Sequence, residues 1–222
     1  MKQKVLVSWS GGKDSALALY QIQQSKNYEA AALLTIINQD YDRISIHGVR
    51  TVLLEQQAQS IGVPLEKVFI SKNSSNEDYE DKMRQCLTKY MSTGVGAVVF
   101  GDIFLEDLKK YREQNLSKVK MKAIFPIWKE NTCELSNKFI DLGFKAVITC
   151  IDSKLLDKKF VGMNFDKDFL SKLPCDIDPC GENGEFHSFV YDGPIFKQSI
   201  SHSFGQVVLR EKRFYFCDLM CV

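Results

Sequence analysis

The sequence carries almost no net charge, with 29 Lys+Arg against 28 Asp+Glu and a formal total of +1. No global field is available to draw the chain to nucleic acid or to an anionic membrane, and neither is expected as a partner. Long apolar runs are also lacking, so no stretch reaches membrane-spanning length. Lys4-Val5-Leu6-Val7 leads directly into a strand pattern, with neither the apolar region nor the cleavage site of a signal peptide, and cytoplasmic residence is expected. The seven cysteines are odd in number and irregularly spaced, offering no disulfide framework. Cys175, Cys180, His187, Cys217 and Cys221 come nearest to a zinc set, but their spacing is looser than the close pairs of common structural sites. Free thiols are expected. Repeats and low-complexity tracts are absent, and the 45% hydrophobic and 26% charged content is that of an ordinary folded domain.

What is present is alternation. Short apolar runs at residues 4–8, 31–37, 68–71, 97–100 and 146–151 are rich in β-branched or other apolar residues and suit strands buried on both faces. Stretches of helical spacing fill the gaps, at residues 14–24, 49–61, 76–91 and 132–142, with Gly62 and Gly143 at C-cap positions. This predicts an α/β fold with a doubly wound, mostly parallel sheet over residues 1–152. Beyond residue 152 the texture changes. A short helix at 166–172, a segment containing Pro, Gly and Cys, and three strands at 185–191, 206–210 and 213–217 predict a smaller α+β lobe over 153–222.

The most distinctive segment is Ser8-Trp9-Ser10-Gly11-Gly12-Lys13-Asp14-Ser15, at the carboxyl end of the first strand, where doubly wound sheets bind ligands. Two consecutive glycines let backbone N–H groups turn toward an anion, and the following helix adds its positive end. Lys13 supplies a point charge, and Ser8, Ser10 and Ser15 supply hydroxyl donors. Asp14 is the odd member: beside a phosphate it either caps the helix or helps to hold Mg²⁺. The spacing matches neither G-x-x-x-x-G-K-[ST] nor G-x-G-x-x-G.

Other candidate positions sit at strand ends or before helices. Gly101-Asp102-Ile103 follows the strand at 97–100, where Gly101 allows close approach of a nucleotide and Asp102 faces ribose, metal or substrate, or else makes a capped turn. Lys109, Lys110, Tyr111 and Arg112 follow as a charge run, solvated or facing phosphates. Asn38 ends the second strand and His47 precedes the second helix, near the expected place of adenine or sugar. Asn183-Gly184 is a two-residue hairpin signal, after which alternation places Glu185 and His187 on one strand face, fit to orient an amine or ammonia nucleophile, accept its proton or bind a substrate's charged end, or else forming only an exposed polar hairpin.

The loop resembles the PP-loop of N-type ATP pyrophosphatases, of the adenine nucleotide alpha hydrolase-like fold. Gly101-Asp102-Ile103, Phe125-Pro126-Ile127-Trp128 and Cys180-Gly181-Glu182-Asn183-Gly184-Glu185-Phe186-His187 extend the resemblance to the diphthine-ammonia ligase family over nearly the whole chain. One departure is Ser188, where many members have Thr after the preceding His or Glu. The resemblance implies ATP and Mg²⁺ as cofactors, cleavage of ATP to AMP and pyrophosphate, and ammonia as nucleophile. It implies a carboxylate acceptor, either diphthine on elongation factor 2 or a related group, since the additional C-terminal domains of larger members are not seen here. Lys13, Asp14, Glu185 and His187 are then the catalytic candidates. Ser8, Ser10, Gly11, Gly12, Lys13, Ser15, Asn38, His47, Gly101 and Asp102 are the nucleotide-binding ones, with Asp14 a candidate Mg²⁺ ligand. The strand-rich second lobe is a candidate surface for a homodimer. The alternatives are a PP-loop sulfur transferase acting on tRNA and a nucleotide sensor without turnover.

Overall fold

The structure, a computed structural model, describes residues 2–44 and 48–222. Strand β1 (Gln3–Ser8) is followed by helix α1 (Lys13–Gln24) and the long parallel strand β2 (Tyr28–Asn38). A short antiparallel strand, β3 (Arg43–Ile44), pairs with the end of β2. Helix α2 (Thr51–Ile61) stops at Gly62, whose φ of 80° closes the last turn, and carries the chain to β4 (Leu65–Ile70) on the outer side of β2. Helix α3 (Asn76–Met91) then returns the chain across the sheet to β5 (Val95–Val99), which pairs with β1 on its other side. Helix α4 (Glu106–Lys118) and β6 (Lys122–Ile124) complete the parallel sheet. Growth of the sheet reverses between β1 and β5, so the loops leaving these two strands diverge at a switch point, where such sheets form a ligand crevice.

Strand alternation explains the continuous apolar runs. Val5, Val7, Ala97 and Val99 enter one core with Leu17 and Leu19 of α1 and Leu53 and Leu54 of α2, whereas Leu6 and Val98 enter a second with Leu87 of α3 and Leu116 of α4. The central strands β1 and β5 are thus covered on both faces, which favours apolar residues on either side.

The remainder forms α5 (Thr132–Asp141), β7 (Lys145–Asp152), a 3₁₀ turn (Lys158–Phe160), α6 (Lys167–Lys172), β8 (Phe186–Asp192), β9 (His202–Arg210) and β10 (Phe214–Cys221). The four strands make an antiparallel sheet in the order β8-β7-β10-β9. Ile148, Ile151, Phe186 and Phe189 of this sheet share the larger core with the first, so the two sheets are packed as one body around α1 and α2.

Three expectations are corrected. The strand at 146–151 belongs to the antiparallel sheet; it reads as a parallel strand because all its residues after Lys145 are buried, and burial on both faces erases alternation whatever the direction of its neighbours. Asn183-Gly184 does not join two paired strands, because β8 pairs with β7 and the segment before the turn is interrupted by Pro174 and Pro179. The second helix begins at Thr51, two positions later than expected. The short strands β6 and β3 lie below the length at which an apolar pattern can be read.

Candidate active site

The loop between β1 and α1 is built on its backbone. Gly11 has φ +74°, and a Cβ there would lie 2.7 Å from Leu54 Cδ2 and 2.8 Å from Gln57 Oε1, so no side chain fits between the loop and α2. Ser10 Oγ accepts from the Gly12 N–H at 3.2 Å and lies 3.2 Å from Ser15 Oγ, which donates to the Gly12 carbonyl at 2.9 Å. The second sheet grips the loop from outside: the Val190 N–H donates to the Gly11 carbonyl at 2.9 Å, and the Lys13 N–H donates to Ser188 Oγ at 3.2 Å. Helix α1 starts at Gly12 with no side-chain cap, so Asp14 is not the cap; its two oxygens each accept from Lys13 Nζ at 2.8 Å.

Lys13 is only 3% exposed. Besides Asp14, its ammonium donates to the Cys180 carbonyl, and it lies 5.6 Å from the centre of the Phe186 ring. Burial alone would lower its pKa, but Asp14, with Cys180 and Glu182 behind it, holds it protonated above the usual lysine value. Burial likewise pushes the Asp14 carboxyl up against the pull of Lys13. The result is a fixed, desolvated cation at the start of α1.

Gly101 leaves β5 in close contact with this turn. A Cβ on it would sit 2.7 Å from the Asp14 carbonyl carbon and 2.9 Å from the Ser15 nitrogen, so a bulkier residue would drive the two switch-point loops apart. Asp102, which is buried, is held in a bidentate pair by Arg112, with Nε to Oδ2 at 2.5 Å and Nη2 to Oδ1 at 3.0 Å. Arg112 also stacks on Phe100, 4.3 Å from its ring centre, so the last member of the charge run turns inward. Lys109 instead lies over Trp128, 4.8 Å from its ring centre.

The segment before β8 closes over these loops. Glu182 Oε1 accepts from the Ile103 N–H at 2.7 Å, joining the Gly101 loop to the C-terminal half. Burial pushes the Glu182 carboxyl up to about 7 despite that hydrogen bond. Glu185 is 3% exposed, and its Oε1 accepts from the Asp178 N–H at 3.2 Å and from Asn183 Nδ2 at 2.9 Å. Its Oε2 is buried without a hydrogen-bond partner among the described residues. His187, half-buried, lines the main cavity, and Glu185 does not; the two expected neighbours therefore divide, one into a turn-holding position and one onto the cavity wall.

That cavity has a volume of about 1810 Å³, larger than the ~300–1,000 Å³ of a typical small-molecule site. Ser8, Ser10 and Asn38 line it from the parallel sheet, and Gln206, Arg210 and Phe216 from the antiparallel one. Asn38 also accepts from the Asp40 N–H at 3.0 Å, which fixes the turn after β2. His47 lies outside the described residues. At the rim, Asp218 of β10 accepts from Arg43 Nη1 at 2.8 Å and from Arg50 Nη2 at 2.6 Å, and the hydrogen bonds from Arg50 and Arg43 hold its carboxyl down at about 2. Among the described residues, no group of three or more His, Cys, Asp or Glu is arranged to hold a metal, so the zinc reading has no site there. Free thiols are found as expected, and burial pushes Cys150, on the cavity wall, up to about 12.

Sequence reasoning passed over Gln57, which is 0% exposed. Its Oε1 accepts from Trp9 Nε1 at 2.9 Å, and its Nε2 donates to the Gly11 and Val190 carbonyls at 3.1 and 2.6 Å. A polar residue within the apolar face of α2, beside Leu53, Leu54 and Ala58, was the available signal.

Switch-point placement of a glycine loop ahead of a helix is the arrangement of a doubly wound α/β protein. Two family models match the chain: the diphthamide synthase N-terminal domain over residues 2–123 and the diphthamide synthase C-terminal domain over 131–217. The chain belongs to the diphthamide synthase family. It is 26% identical over 234 residues to the diphthine–ammonia ligase of Schizosaccharomyces pombe, covering 92% of this chain but 38% of that protein. It is 26% identical to the diphthine–ammonia ligase of Danio rerio and 25% to that of Homo sapiens, covering 86% and 90% of this chain and 83% of each relative. The chain thus spans well under half of the fission yeast relative and most of the vertebrate ones. No helix among the described residues is long and apolar enough to cross a membrane.

Proposed function

We propose that this chain is an ATP-dependent amide ligase that adenylates a carboxylate and then exchanges AMP for ammonia. The observation that carries the reading is the loop itself: a buried, protonated Lys13 stands at the start of α1, and Ser8 and Ser10 of the same loop line a cavity that the second sheet also lines. Membership of the diphthamide synthase family supports ATP as the substrate and a ligase as the class of enzyme.

In this reading Ser10, Gly11, Gly12, Lys13 and Ser15 hold the β- and γ-phosphates. The acceptor carboxylate attacks the α-phosphorus, the bond from the α-phosphorus to the bridging oxygen breaks, and pyrophosphate leaves with the extra charge. Fixed donors in a desolvated pocket stabilise that charge at no reorganisation cost. Ammonia then attacks the acyl carbon and AMP departs. His187, on the cavity wall, accepts the proton the nitrogen sheds, while Glu185 holds the turn that aims β8. The residues present fit Mg²⁺ only as an ion carried in on the phosphates, with Asp14 as a single protein carboxylate. Bound there, it would neutralise phosphate charge. The acceptor is diphthine of elongation factor 2 or a related carboxylate, and its place is the part of the cavity walled by β9 and β10. A sulfur-transfer reading finds no support in Cys150, since its raised pKa leaves no thiolate at neutral pH.

The test is product analysis with Mg·ATP, ammonium and a diphthine-bearing acceptor. AMP, pyrophosphate and amide in equal amounts are expected; ADP and phosphate would overturn the reading, and tight binding without turnover would replace it by a sensor.

A further inference from the structure

A loop that binds an anion must present N–H groups and hide carbonyl oxygens. The peptide unit is planar and trans, so the Gly11 carbonyl and the Gly12 N–H point in opposite directions, and pinning one aims the other. The Gly11 carbonyl is pinned twice, by the Val190 N–H at 2.9 Å and by Gln57 Nε2 at 3.1 Å. The Gly12 N–H accordingly lies on the inner side of the loop, 3.2 Å from Ser10 Oγ.

Building on the ligase reading, we propose that Gln57 is a positioning residue for pyrophosphate: it turns the Gly11 carbonyl away from the phosphates and aims the Gly12 N–H at them. Its own orientation is settled by its partners. The Trp9 indole N–H at 2.9 Å requires an oxygen, and the Gly11 and Val190 carbonyls require a nitrogen, so the amide has one acceptable rotamer. At 0% exposure no solvent replaces these bonds when one is lost. Because Val190 lies on β8, the same amide locks the loop to the strand that carries His187. Gln57 touches neither substrate nor reacting atoms and acts through the Gly11–Gly12 peptide.

The experiment compares wild-type, Gln57→Met and Gln57→Glu full-length chains by calorimetric titration with inorganic pyrophosphate alone and with AMP alone. Both variants should lose pyrophosphate affinity by about tenfold or more, the worth of one hydrogen bond to a charged group, with AMP affinity within about twofold of wild type. A merely structural role would weaken both ligands alike; that result, or unchanged pyrophosphate affinity, overturns the proposal. Should Gln57→Met fail to fold, Gln57→Glu decides alone, since it keeps the volume and the acceptor for Trp9 while setting an oxygen against two carbonyls. Wild-type protein that binds no pyrophosphate overturns the ligase reading and this one together, whereas normal wild-type binding with unchanged variants overturns only the role of Gln57.

Discussion

The two walls of the cavity are unlike. On the parallel-sheet side the candidate groups are enclosed: the hydroxyls of Ser8 and Ser10 on the wall and, behind them, one lysine that is 3% exposed and fully partnered. On the antiparallel sheet they are more open to solvent: Asp218 of β10 reaches across the rim to Arg50 at the start of α2, which is 42% exposed, and Phe204 of β9 is 54% exposed. The difference suits the two tasks of the proposed reaction. Stabilising a leaving pyrophosphate needs donors fixed before the reaction in a dry pocket, whereas admitting an acceptor carried on a macromolecule needs a wall that is reachable from outside. The walls are joined at a few points, chiefly Val190 to Gly11 and Glu182 to Ile103.

The largest effect is expected at the buried wall. Lys13→Met should lower the rate of AMP formation by about 1,000-fold, the scale of losing a preorganised donor to a developing negative charge. A loss below tenfold, measured by AMP release, would show that the fixed cation is not what separates the two walls. On the opposite wall, His187→Ala should slow amide formation by about 100-fold while the affinity for ATP changes little. Equal loss of ATP affinity would merge the two walls into one function.

At the seam, Glu182→Gln sharpens the comparison through pH. An unfolded Glu titrates near about 4.3, and the folded group near about 7, so the folded state holds the proton more tightly. Its contribution is therefore present at low pH and lost as pH rises through about 7. The variant should be more stable than wild type by about 1–2 kcal/mol at pH ~8 and show a flatter stability profile between pH ~4.5 and ~7, after allowance for partial exposure. Denaturant melts across that range check it. The smallest effect belongs to the rim. Asp218 is held down at about 2, so its contribution is present above its unfolded pKa and lost as pH falls toward 2. Asp218→Asn should cost about 1 kcal/mol at neutral pH, and the difference from wild type should vanish in acid.

The parallel wall was largely legible in the sequence because its determinants are local: apolar runs, a glycine pair, and a helix beginning where the loop ends. The strands that hold the loop motifs, β1 and β5, fall where the periodicity places them. The strands of the antiparallel wall also fall near their expected places, as β8, β9 and β10, but their assembly with β7 was not legible, because β7 meets β8 and β10 only through long-range pairing, Ile151 with Phe186 and with Tyr215, which no local pattern encodes. For the same reason Glu185 and His187 read as neighbours on one strand, when β8 begins at Phe186 and leaves Glu185 in the turn. Gln57 and Arg112 are the converse case, ordinary helix residues in the sequence whose roles arise only from what lies across from them.

The central claim is that a carboxylate displaces pyrophosphate while the loop holds it. The direct measurement is exchange of labelled pyrophosphate into ATP with acceptor present and ammonia withheld. The account predicts acceptor-dependent exchange that Lys13→Met abolishes; no exchange alongside steady, acceptor-dependent release of ADP would contradict it.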